Sequence, residues 1–172
     1  MIRRTCGKAF PFFWLCVLGM PAHSANAQQL EHVASESRDA AVGLVGSIQF
    51  TVGRLGRDCL SLLGRKESAQ VFVGSWQQRN RKYVEAAAEY VQARLQEAER
   101  TSEETKKAVL QGLAVARAQA EGSVNALYAN GGKEEACLRM IPQIDAGAYD
   151  ITPRVPMFDE LEALVQWAGT SR

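Results

Sequence analysis

Residues 45–62, VGSIQFTVGRLGRDCLSL, carry the reading on which the fold depends. Val45, Ile48, Val52, Leu55, Cys59 and Leu62 recur at alternating intervals of three and four, which places them on one face of a helix. That helix carries Cys59 inside its apolar stripe and ends at Gly64. Gly43, Gly46, Gly53 and Gly56 oppose the assignment, because each glycine costs a helix interior about 1 kcal/mol relative to alanine; they also suit close helix packing. A competing reading makes 48–52 a short strand, since its residues alternate apolar and polar.

Downstream the helical period continues. A second helix is expected from Glu67 or Ser68 to about Glu99, with Phe72, Trp76, Tyr83, Ala87, Val91 and Leu95 facing inward and Glu85, Glu89 and Gln92 facing water. Thr101 followed by Glu104 reads as a capping box that opens a third helix. Its inner face is Val109, Leu113, Ala116, Ala120, Val124 and Leu127, and Asn130-Gly131-Gly132 stops it. A fourth, shorter helix from Lys133 to about Ala146 buries Ala136, Cys137, Met140, Ile141 and Ile144, with a kink expected at Pro142. After an aperiodic crossing over 147–156, Phe158, Leu161, Leu164, Val165 and Trp167 form a last amphipathic segment. The expected fold is all-α: an antiparallel bundle of three long and two short helices.

Upstream, residues 1–27 read as a cleaved export signal. Arg3, Arg4 and Lys8 give a positive start, Phe10 to Gly19 a short apolar core, and Ala25-Asn26-Ala27 small residues at the cleavage positions. The apolar run contains Pro11 and ends at Pro21, too short for a membrane anchor of roughly 20 residues. Cys6 and Gly7 fit a twin-arginine signal poorly, and Trp14-Leu15 ahead of Cys16 fit lipid attachment poorly. The mature chain is then a single domain over 28–172, located in the periplasm or outside the cell, and the signal's shape suits a bacterium.

Removing the signal takes Arg3, Arg4 and Lys8 from the 20 basic residues and nothing from the 19 acids, leaving a net charge of −2. That balance gives no ground for nucleic-acid binding. Of four cysteines, only Cys59 and Cys137 remain, and an even pair in an exported domain reads as one disulfide.

The inventory for catalysis is thin. His32 is the only histidine of the mature chain, so neither a histidine-based triad nor a usual zinc shell can be assembled. The acid pairs Glu85/Glu89 and Glu103/Glu104 have the spacing of a solvated helix face. The c-type haem motif is absent, and His32, Met140 and Met157 are the only side chains left to ligate haem. No cofactor, metal or enzymatic activity is therefore expected. The densest local cluster is Trp76, Arg79, Asn80 and Tyr83, two amphipathic aromatics with an amide and an arginine on one helix face. Such residues dominate binding hot spots, and equally they serve as core residues whose polar tips satisfy a helix end or a loop carbonyl. Arg54, Arg57, Arg65 and Lys66 add a modest basic patch.

Taken together, the sequence points to a small exported helical protein that binds an envelope or secreted partner protein without catalysis. The sequence does not separate an inhibitor or immunity-type protein from an assembly factor or a chaperone-like holdase; an extended apolar groove would favour the holdase and a single aromatic patch the specific inhibitor. The alternative is a ligand-binding or carboxylate-dependent hydrolytic bundle, which requires Arg79, Tyr83 and acids of the third helix to converge on a closed pocket.

Overall fold

The computed structural model describes residues 33–171, and these are all-helical. The signal reading of 1–27 and the histidine at position 32 lie outside the described residues. Six helices follow in order: α1 Glu36–Cys59, α2 Ala69–Arg79, α3 Arg81–Thr101, α4 Glu103–Ala129, α5 Gly132–Asp145 and α6 Phe158–Thr170. Helix α1 is central and packs against each of the other five.

The seam that defined α1 is buried at Val45, Val52, Leu55 and Cys59. Residues 48–52 are helical, so the alternating pattern there does not form a strand. The helix stops at Cys59, earlier than Gly64, and Leu62 is exposed in the following turn. Gly64 adopts φ 66°, and the Arg65 amide donates back to the Leu60 carbonyl at 2.9 Å. A left-handed residue after the last turn closes off helix carbonyls, so the chain turns at 60–64 and Leu62 swings to the surface.

The long second helix is in fact two. Asn80, at φ −106° and ψ 22°, ends α2 and begins α3. The expected bundle of three long and two short helices is therefore one of six helices. Helix α4 starts one residue later than expected, because Ser102 rather than Thr101 is its cap: the Ser102 hydroxyl accepts from the Thr105 amide at 3.1 Å. Gly131, at φ 101°, caps the start of α5, and Gly132, at φ 88°, is its first residue. Pro142 lies within α5.

The core gathers Val45, Val52 and Leu55 of α1, Phe72 and Trp76 of α2, Tyr83 and Tyr90 of α3, Val124 of α4, Ile141 and Ile144 of α5, and Leu161 and Leu164 of α6. Cys59 and Cys137 form a disulfide, Cα–Cα 5.2 Å, that ties the end of α1 to α5. Only the second half of α4 joins this core. Ala120 and Val124 are buried, whereas Leu110, Leu113 and Val115 are 49%, 37% and 51% exposed. Leu113, expected on the inner face, borders an open groove instead.

Candidate functional site

Trp76, Asn80 and Tyr83 of the cluster are buried, and Arg79 lies at the surface beside them. Trp76 is buried and its indole Nε1 donates to the Tyr149 carbonyl at 2.9 Å. Asn80 is 2% exposed and uses both ends of its amide: Nδ2 donates to the Trp76 carbonyl at 2.8 Å and to Asp150 Oδ1 at 3.2 Å, while Oδ1 accepts from the Ile151 amide at 2.6 Å. Arg79 completes the clasp, donating to Asp150 Oδ2 at 2.8 Å and to the Ile144 carbonyl at 3.0 Å. Together they fasten the segment between α5 and α6 onto the α2–α3 break. Tyr83 is buried and its hydroxyl donates to Glu162 of α6 at 2.6 Å, beside Lys82, which donates to the same oxygen. Hydrogen bonds from Lys82 and Tyr83 hold the Glu162 carboxyl below the usual range. Arg79 thus faces Asp150 and Tyr83 faces Glu162, so the two do not converge on a common pocket.

Open space lies elsewhere, in a groove between α1, α3 and α4 with a volume of about 820 Å³. Gly43 and Gly46 form its floor, and a Cβ built on either meets nothing within 4 Å. These glycines therefore leave room rather than permit close packing. Gly56 alone on α1 has a tight approach, its Cβ position lying 2.8 Å from Phe72 Cδ1. Val84, Ala87, Val91 and Leu95 of α3 make one wall of the groove, and Leu113 and Ala116 of α4 the other. Glutamines at 49, 77, 92 and 96 line it as well, so its polar groups are largely uncharged amides.

The groove runs on in both directions along α1. Toward the start of α1 it continues past Val42, Gly43 and Leu113 to Asp39, Tyr90 and Arg94. Toward the end of α1 it borders, past Gly46, Gln49 and Phe50, a recess of about 640 Å³ lined by Arg54, Arg57 and Arg117 together with Gly53, Ala69 and Val73. Arg54 is paired with Asp58 and Glu121, and its hydrogen bond to Asp58 joins one from Tyr128. Burial alone would push the Asp58 carboxyl up, but the bonds from Arg54 and Tyr128 outweigh it and leave it below the usual range. Burial, with Asp58 adding to it, pushes the Tyr128 phenol up to about 12. The phenol therefore remains a hydrogen-bond donor at neutral pH. Arg117 lies over the Phe50 ring, 5.6 Å from its centroid, where the two helices flank the groove.

Among the described residues no group of three or more His, Cys, Asp or Glu side chains could hold a metal ion, and no helix is long and apolar enough to cross a membrane. Met140 is buried in the core, and Met157 takes φ 62° ahead of α6. The fold and groove define a disulfide-stapled helical bundle with an open, largely apolar groove. No family model, curated protein or solved structure matches the chain.

Proposed function

We propose that the protein acts outside the cytoplasm by non-enzymatic binding, and that the groove between α1, α3 and α4 is its binding surface. The observation that carries this reading is the floor: two glycines inside a helix, each at a cost in helix stability, open a cavity of about 820 Å³ that no side chain of the bundle fills. Its size lies within the range of small-molecule sites, roughly 300–1,000 Å³. Contiguous apolar surface of this kind in an otherwise well-packed bundle marks a place where another molecule is received.

A dedicated partner protein docking on Trp76, Arg79, Asn80 and Tyr83 has less support, because those side chains are engaged with Tyr149, Asp150, Ile151 and Glu162. The role best supported is that of a carrier or chaperone-like binder of apolar material in the envelope or secreted space. The Cys59–Cys137 disulfide suits an oxidising compartment, and the signal-like residues 1–27 supply a route to one.

The test uses the disulfide-intact chain beginning at Gln28 and the neutral, environment-sensitive dye N-phenyl-1-naphthylamine. One saturable site is expected, and Gly46→Leu, which places a side chain in the groove, abolishes it while far-ultraviolet circular dichroism stays unchanged. Equal dye binding by a folded Gly46→Leu variant, or no saturable binding at all, rejects the groove as the binding surface.

A further inference from the structure

We propose that the occupant of the groove is a single-chain anionic amphiphile, a long-chain carboxylate whose hydrocarbon tail lies over Gly43 and Gly46 and whose headgroup meets Arg57 and Arg117. The inference rests on the groove being the binding surface, and adds the chemistry of what it holds.

The two sections of the groove share part of their lining and differ in charge. The apolar section is walled by aliphatic side chains such as Val84 and Val91. The recess that follows is lined by three arginines and by no carboxylate. Arg117, Phe50, Gln49 and Gly46 border both sections, so one molecule can lie across the boundary.

Charge decides which end of a ligand goes where. The acids paired with the recess arginines, Asp58 and Glu121, both bind Arg54, at 2.5 and 3.3 Å. Arg57 comes within 4.0 Å of Asp58 only at its Nε and is 64% exposed. Three guanidiniums against two carboxylates leave this end with an excess of one positive charge, and the guanidinium fork matches a carboxylate in two parallel hydrogen bonds. An anionic headgroup is attracted there, and a chain of methylenes gains about 0.8 kcal/mol for each one buried in the adjoining section.

Length suits an extended alkyl tail. The apolar floor from Val42 to Phe50 covers nine residues, eight rises or about 12 Å of helix axis at 1.5 Å per residue, which accommodates much of a long alkyl tail.

The experiment displaces the same naphthylamine dye from the delipidated chain with dodecanoate, 1-dodecanol or an acidic amphipathic helical peptide, and separately measures binding to anionic phospholipid vesicles. Dodecanoate is expected to displace the dye about tenfold more tightly than dodecanol at low salt. The double variant Arg57→Gln/Arg117→Gln removes that preference, read as the ratio of the acid and alcohol displacement constants within the same variant, and 1 M salt weakens it. Equal displacement by acid and alcohol, or a preference that survives in the double variant, overturns the amphiphile while leaving the groove as a binding surface. Tighter displacement by the peptide, or binding to vesicles without binding of monomeric dodecanoate, overturns it in favour of a protein helix or a membrane surface. Loss of saturable dye binding in the parent chain is the separate failure, that of the groove itself.

Discussion

At the scale of single residues, Gly46 and Gly56 stand on the same helix, and an added methyl group acts in opposite directions at the two. At Gly46 a Cβ meets nothing within 4 Å, so alanine contributes its better helix propensity. Gly46→Ala should raise stability by up to about 1 kcal/mol. At Gly56 the Cβ would sit 2.8 Å from the ring of the buried Phe72 and force it to move; Gly56→Ala should cost about 1–3 kcal/mol. Urea unfolding of both variants measures this, and a destabilised Gly46→Ala would mean that the floor is filled. Asn80 poses a different problem, because its side chain replaces backbone partners at the helix break. Asn80→Ala removes the acceptor for the Ile151 amide and should destabilise the chain by about 1–3 kcal/mol. The same denaturation experiment tests it, and a change within a few tenths of a kcal/mol would refute the clasp. The residue types of this clasp were legible in the sequence, but its partners were not. Asp150 and Ile151 lie about seventy positions away in a stretch without periodicity, and only the folded chain brings them to Asn80.

At the scale of elements, helix existence and phase were legible wherever one face is buried along its length. In α1, α5 and α6 the residues marked by period are in the core or, as with Ile48, Phe158, Val165 and Trp167, partly buried against it, apart from Leu62 beyond the true end of α1. The α2–α3 break was hidden because the apolar stripe runs through it: Trp76 and Tyr83, either side of Asn80, are both buried. Helix α4 shows the opposite limit, since its apolar period runs from Val109 to Leu127 while burial begins only at Ala120. Period identifies a face that can be buried; it does not say whether a neighbour covers it. This uneven packing has a dynamic consequence. Amides over 106–119 of α4 should exchange with solvent faster than those over 120–129, because local opening of the first half exposes little buried apolar surface. Hydrogen exchange resolved by fragment tests this, and uniform protection along α4 would show that its first half is held as firmly as its second. If dodecanoate occupies the groove, protection in the first half should rise selectively. Contacts between elements also predict an acid response. Asp58 links α1 to α4 through Tyr128, and Glu162 links α6 to α3 through Lys82 and Tyr83. Both carboxyls have folded pKa values below the ordinary range, so the stability they contribute is fully present above the unfolded value of about 4 and is lost as pH falls through the folded values. The urea midpoint should decline between pH 5 and pH 3, and less steeply in Glu162→Gln.

At the scale of the whole molecule, the groove could not be read from the sequence because no segment contains it. Its floor comes from α1, one wall from α3 and the other from α4, and the glycines that open it suit tight packing equally well until a structure shows what stands opposite them. The staple was legible, because it follows from counting cysteines rather than from geometry. Its energetic effect also belongs to the whole chain. The bridge spans 78 positions and encloses α2, α3 and α4 between its ends. By the chain-entropy argument, closing a loop of that size in the unfolded state is worth roughly 4 kcal/mol. Both cysteines are buried where α1 meets α5, so the bridge reinforces contacts that packing already makes. Reduction should therefore lower stability without altering helix content at low temperature. Cys59→Ala/Cys137→Ala is expected to lose about 10 °C or more in Tm, as is the parent chain in excess reductant. Thiol labelling of the unfolded, unreduced parent should find no free cysteine when the chain begins at Gln28. A double variant that melts with the oxidised parent would show that the bridge adds nothing to what the packed α1–α5 contact supplies. A variant that is unfolded at room temperature would show that the bundle depends on an oxidising compartment to fold at all.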